Sequence, residues 1–256
     1  MNNSPVSYKS NTVEAEELLK INNEFWSSIG NQAIGATALP SWGGFFDEEN
    51  LNLLGDLSNK KVLDICCGTG HSLEYVHKKG AGELWGLDIS REQINLARNW
   101  LSTKGINAKL ICSPMEEDCG IPKNCFDLVY SVFGIGWTSD LNNTFSLIQS
   151  YLKPDGKFIF NWSHPIHKCT SIENGKLVFI NTYYDESWYN AQLQGEQVMM
   201  CNRMLSTYIN ALAENGFVIE KLIEKPNKEL LIQDDSAFAE KAKIAPVGFV
   251  IVCRKL

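Results

Sequence analysis

Two acids, a glycine pair and a histidine pair are the residues of this 256-residue chain whose types and spacing could do chemistry. In the run KVLDICCGTGHSLEYVHKKGAGELWGLDI, residues 61–89, Asp64 precedes a turn Cys67-Gly68-Thr69-Gly70, and Asp88 closes the run of apolar residues that follows. Glycines let a backbone come close to a ligand, and a helix N-terminus offers unpaired N–H groups to its polar end. An acid at the tip of the next strand can accept two hydrogen bonds from a ribose diol. Asp64 would repel a pyrophosphate and suits an ammonium or sulfonium. Together these residues describe a nucleoside site. A second group, Ser163-His164-Pro165-Ile166-His167, carries imidazoles that titrate near neutrality. His164 is a candidate base for an acceptor hydroxyl or amine, or else a residue that orders its turn. Two histidines three apart could bind a metal, but Pro165 argues against a helix there and no third ligand is evident, so no metal site is assigned.

The elements that position these groups follow from apolar periodicity. Val62 to Ile65 reads as a buried strand, and Leu73 and Val76 mark a helix stopped at Gly80. Leu84 to Leu87 is a second strand, which completes a βαβ unit. Counting from Gly68, the third glycine of a dinucleotide G-x-G-x-x-G is missing. Ser90 and Gln93 form a capping box ahead of a stripe of Ile94, Ala97 and Leu101. Strands are expected at Ala108 to Cys112, Asp127 to Val132, Lys157 to Trp162, Phe217 to Ile223 and Val247 to Cys253. Helices are expected at Asn11 to Ile29, with Asn11 and Glu14 as a cap pair, at Leu141 to Leu152, at Leu205 to Asn215, and from Ser236 to Ile244. The glycine- and aromatic-rich stretch 30–46 either connects or covers the site. An Asn-Gly hairpin signal at 171–179 precedes the aromatics Tyr183, Tyr184, Trp188 and Tyr189, which read as a cap over an acceptor or as a dimer contact. Arg203 reads as a solvated surface residue.

Asp64-Ile-Cys-Cys-Gly-Thr-Gly70 with Asp88 resembles the first two motifs of the class I S-adenosylmethionine-dependent methyltransferases. Phe126-Asp-Leu-Val-Tyr-Ser131 resembles their fourth strand, and Leu152-Lys-Pro-Asp-Gly-Lys-Phe-Ile-Phe160 the turn and strand after it. The likeness runs through residues 40–256 in order. It departs at Cys66, where the family's first glycine usually stands, and in the loop Ser113-Pro114-Met115-Glu116, where an acid usually meets adenine. The resemblance implies a doubly wound, mostly parallel seven-stranded sheet with an antiparallel edge hairpin, a Rossmann-like α/β fold. Residues 1–46 would be a helix and loop covering the site, and 47–256 the methyltransferase domain with a cap insertion at about 163–200. It implies S-adenosyl-L-methionine as cofactor. Asp64, Cys66, Gly68, Thr69 and Gly70 would hold its methionine end, Asp88 the ribose, and Ile89, Met115 and Glu116 the adenine, with Ser131 and Phe133 as the floor. Trp137, His167, Tyr183, Tyr184 and Trp188 would face the acceptor.

A net charge of −7 argues against a nucleic-acid partner, since neutralising phosphates needs a basic face. No stretch reaches the ~18 apolar residues needed to span a bilayer, and Met1 to Ser10 has no signal-peptide character. Eight cysteines without a C-x-x-C pair read as reduced, with the cytoplasm as the default setting. The expected function is methyl transfer to a small molecule. A protein that binds the cofactor without transfer and an NAD-dependent oxidoreductase are the alternatives.

Overall fold

A computed structural model describes residues 15–30 and 37–256. The proposed Asn11–Glu14 cap pair and part of the 30–46 loop lie outside these residues. Seven strands make the central sheet: β1 (Lys61–Ile65), β2 (Glu83–Asp88), β3 (Ala108–Cys112), β4 (Phe126–Ser131), β5 (Leu152–Ser163), β6 (Phe217–Ile223) and β7 (Gly248–Lys255). Their order is β6-β7-β5-β4-β1-β2-β3, parallel except for β7, which pairs antiparallel with both β5 and β6. The order reverses between β1 and β4, so a crevice opens beyond their carboxyl ends, where open α/β sheets bind ligands.

The period of two along the central strands explains the layers. Leu63 and Val129 point to one face, which α4 (Leu141–Tyr151) and α5 (Leu205–Glu214) cover through Phe145, Ile148 and Leu212. Val62, Leu128 and Tyr130 point to the other, packed with Leu73 and Val76 of α2 (His71–Lys78), Ile94 and Leu101 of α3 (Arg91–Thr103), and Trp42 and Leu57. Each fully buried large apolar side chain contributes about 1.5–3 kcal/mol. Ser90 Oγ accepts from Gln93 N, but the return half of the expected capping box does not form, because Ser90 N donates to Asp88 Oδ1 and the Gln93 amide to Trp26 O and Gly30 O; Ser236 Oγ accepts from Ala239 N. Gly86 has no room for a side chain, since a Cβ would stand 2.8 Å from Cys67 Sγ and 2.9 Å from Leu110. That close approach presses β2 against the turn that carries the site.

The first helix, α1 (Ala15–Ser28), lies over the crevice. The insertion between β5 and α5 forms two hairpins, Thr170–Glu173 with Lys176–Phe179 and Trp188–Leu193 with Glu196–Cys201. Asn174 and Gly175, both at positive φ, make the first turn as its Asn-Gly signal predicts. The second hairpin supports α1: Asn22 Nδ2 donates to Met199 O (3.1 Å), Met199 N donates to Asn22 Oδ1 (2.9 Å), and Phe25 and Ile29 pack on Val198. No described helix is long and apolar enough to cross a membrane.

Candidate active site

The β1–α2 turn builds the floor of a cleft of about 970 Å³, its open mouth included. Cys66 takes φ +63°, the penalised conformation its sequence position implies, and Gly68 and Gly70 follow at +48° and +81°. Nothing lies within 4 Å of where a Gly68 Cβ would stand, so any side chain there would fill the cradle that faces the cleft. A Gly70 Cβ would meet Ala97 Cβ at 3.2 Å, so this glycine serves the packing of α2 on α3.

Asp64 is 2% exposed on β1, and burial pushes its carboxyl well above the usual range. Asp88 adds like-charge repulsion, whereas the nearby Tyr130 hydroxyl lowers the value only in part and lacks a hydrogen bond of good geometry. Among the described residues no cation pairs with Asp64, so it is a buried acid suited to a cationic ligand. Asp88 Oδ2 accepts from Gly68 N and its Oδ1 from Ser90 N, both at 2.9 Å. Each oxygen keeps a lone pair for a diol.

Burial raises the Asp88 pKa from 3.8 to about 6 despite these two N–H donors. Folding therefore disfavours its ionised form. The linked stability is full below about pH 4 and is lost as pH rises through about 6, roughly 3 kcal/mol for a shift of about two units. Asp88→Asn is expected to raise the melting temperature of the ligand-free protein at pH 7.5, by that amount less about 1 kcal/mol for one lost acceptor, and not at pH 4. Melting curves at the two pH values check this; equal shifts would exonerate Asp88.

The chain leaves β4 through Phe133 at φ +53°, whose N–H donates to Asn161 Oδ1 (3.0 Å). A Gly134 Cβ would stand 2.3 Å from Ser131 Oγ, so the turn needs glycine. Arg203 corrects its surface assignment. It is buried, donates to Gly136 O (3.3 Å) and Thr138 O (2.6 Å), and lies over Trp188, which fixes the loop that carries Trp137. Trp137 meets Trp26 edge-on at 5.3 Å, and both face the cleft with Phe133.

Asp64, Cys66, Gly68, Thr69, Asp88, Ile89, Met115, Glu116, Phe133 and Trp137 all come together on this cleft. Several expected residues do not. Ser131 is fully buried and its hydroxyl donates to Ile65 O (2.7 Å), tying β4 to β1. Glu116 borders the cleft, but its Oε1 accepts from Ser139 N (2.7 Å) and from the Ser139 hydroxyl, so it braces the loop before α4 as well. Tyr184 is 80% exposed, the Tyr183 hydroxyl accepts from Leu205 N, and Trp188 packs under Arg203. These aromatics shape the insertion, which borders the cleft through α1 and through Trp137.

His164 is not placed as a base. Its Nε2 lies 2.8 Å from Glu224 Oε1, its Nδ1 accepts from Ile166 N, and burial holds its pKa below the ordinary value despite Glu224. His167 packs on Phe238, and burial pushes it down to about 3. Neither lines the cleft. His164→Ala is expected to lower the melting temperature through about 1–3 kcal/mol of lost capping and pairing while kcat stays within about twofold. Steady-state kinetics beside melting curves check it, and a large fall in kcat would restore the base role.

Sequence reasoning missed Leu19, Asn22, Trp26, His71 and Gln93 as lining residues. The spacing of Leu19, Asn22 and Trp26 is a helical stripe beside the buried one, and that signal was there to find. Gln93 donates to Trp26 O (2.9 Å) and Gly30 O (3.2 Å), which pins the end of α1. His71 stacks on Trp100 at 4.3 Å with its Nδ1 2.8 Å from Thr69 Oγ1.

Comparison with known proteins agrees with this geometry. Residues 62–156 match a family model described as a methyltransferase domain. A Listeria monocytogenes crystal structure assigned to the S-adenosylmethionine-dependent methyltransferases superposes with a TM-score of 0.70 at 25% identity, over 84% of this chain and 98% of that one. Residues 62–156 are a methyltransferase domain, and the fold is that of the S-adenosylmethionine-dependent methyltransferases. An uncharacterised Haemophilus influenzae protein is 28% identical over 186 residues, 68% of this chain and 73% of its own length. The mitochondrial arginine-hydroxylase NDUFAF5 of Rattus norvegicus is 32% identical over 98 residues, which take in 38% of this chain and only 27% of that relative. As a methyltransferase the chain uses S-adenosylmethionine, and Asp64, without a cationic partner among the described residues, and the open Gly68 cradle fit that cofactor's cationic, adenosyl-bearing form.

Proposed function

We infer that this methyltransferase acts on a small-molecule acceptor. The observation that carries the reading is the roof: Leu19, Asn22 and Trp26 of α1 close the cleft against Phe133 and Trp137, which leaves a pocket and not a groove for a macromolecule. Asp64 holds the cofactor's ammonium, the Gly68–Gly70 turn its methionine end, Asp88 the ribose, and Ile89, Pro114 and Met115 flank the adenine. Bound there, the cofactor supplies a methyl carbon already activated by its sulfonium. The protein's own part is alignment and exclusion of water, and orientation alone can lower such a barrier by ~7 kcal/mol or more. No triad is needed. The net charge of −7 supports a small acceptor over a nucleic acid, and eight free thiols support a cytoplasmic setting.

The experiment is incubation with methyl-labelled cofactor and parallel panels of small metabolites, transfer RNA and arginine- or lysine-bearing proteins. Label should appear on small molecules alone. Label on protein would replace this reading with the alternative that the arginine-hydroxylase relative raises.

A further inference from the structure

The cleft has a one-sided charge. No lysine or arginine lines it among the described residues, whereas Asp64, Asp88 and Glu116 all border it. An anionic acceptor such as a carboxylate would enter past Asp88 and Glu116 with no lysine or arginine of the described residues to pair with.

The wall lined by Trp26, Phe133 and Trp137 is also short of proton acceptors. Both side-chain atoms of Asn22 are spent on Met199, and Trp137 Nε1 donates to Phe133 O (3.2 Å). Glu116 is tied to Ser139. His71 is committed to the opposite side, stacked on Trp100 of α3. A hydroxyl acceptor would find no placed base there. What that wall does offer is aromatic surface: Trp26, Phe133 and Trp137 are each half-buried and line the cleft, with Trp162 behind them at 5.5 Å from Trp137 and 5.7 Å from Phe133. Aromatic faces attract cations.

We propose that the acceptor is a small amine, held by its free base against Trp26, Phe133 and Trp137 and leaving as a methylated ammonium. This rests on the small-molecule reading above and deepens it. The nitrogen lone pair forms the bond to the methyl carbon, the carbon–sulfur bond breaks with its electron pair on sulfur, and the positive charge passes from sulfur to nitrogen. Any proton on the product nitrogen goes to water. The net charge in the cleft does not change, so the acids and rings that favour the bound cofactor favour the product cation as well, and no base is required.

Calorimetry on the intact chain saturated with S-adenosylhomocysteine tests this, with choline, its uncharged isostere 3,3-dimethylbutan-1-ol, and 3,3-dimethylbutanoate as probes. Choline should bind about tenfold tighter than the alcohol, and the carboxylate most weakly. Trp137→Leu and Trp26→Leu should each cut the choline preference to about threefold or less while S-adenosylhomocysteine still binds. Equal or tighter binding of the alcohol or the carboxylate, or methyl label accumulating on phenols, carboxylates or thioethers in place of amines, would overturn the amine assignment alone. If S-adenosylhomocysteine itself does not bind, the cofactor site is misplaced and the amine assignment falls with it.

Discussion

Asp64→Asn is expected to cost roughly 100-fold or more in affinity for S-adenosylmethionine while raising the melting temperature of the ligand-free protein. The binding loss follows from removing one partner of a buried, charge-assisted pair, which typically costs about 2–5 kcal/mol. The gain in stability follows from the same burial. Asp64 is 2% exposed without a cationic partner among the described residues, and burial pushes its carboxyl well above the ordinary value of 3.8. Such a group adds stability below about pH 4 that is lost as pH rises toward its raised pKa, so an amide relieves a cost that grows with pH. A further consequence is proton release. Burial favours the protonated carboxyl and an ammonium favours the ionised one, so cofactor binding shifts Asp64 toward its ionised form, and calorimetry in buffers of different ionisation enthalpy reads the proton released. Asp64→Asn should abolish that release. If the variant binds as well as the wild type, Asp64 does not face the cofactor's charge.

The second large effect is steric. A Cβ on Gly136 would stand 1.7 Å from Trp162 Cε2 and 2.2 Å from its Nε1, distances that no small adjustment accommodates. Gly136→Ala must displace Trp162, a buried residue on β5 that packs on both Phe133 and Trp137, or break the Arg203 bond to Gly136 O. Overpacking of this severity costs about 3 kcal/mol, which lowers the melting temperature of a chain this size by about 6–12 °C. Turnover should fall further than stability explains, because two of the displaced rings line the acceptor end. The double variant Gly136→Ala with Trp162→Phe should recover much of the melting temperature, since the smaller ring vacates part of the clash. An unchanged melting temperature in the single variant would show the loop more pliant than its packing implies.

Trp162 shows where sequence reading stops. Its position at the end of a predicted strand was legible from Lys157–Trp162, but nothing in the linear chain says that Gly136 approaches its indole. The turn at Phe133 is the same: Asn161, Gly43 and Gly134 cooperate to hold it, with a Gly43 Cβ reaching within 2.1 Å of the Phe133 ring. Their separations along the chain hide that cooperation. His164 failed for a related reason. A histidine at a strand's carboxyl end has the right chemistry for a base, but whether its nitrogens are free depends on Glu224, sixty residues on. Arg203 looked like a surface charge because its acceptors are backbone carbonyls, which carry no residue-type signal.

By itself the sequence determined the strands, the helices and a nucleoside-type cradle, while the order of the sheet came from the family resemblance. Those depend on local rules: a period of two for strands, one near four for helices, glycine where φ turns positive, and an acid at each of two strand ends within a single βαβ unit. The three-dimensional fold alone decided what roofs the cleft and which polar groups remain unspent. Hydrogen-bond partners are exhausted pairwise across long sequence distances, as Asn22 is by Met199, and only the folded chain brings such pairs within reach.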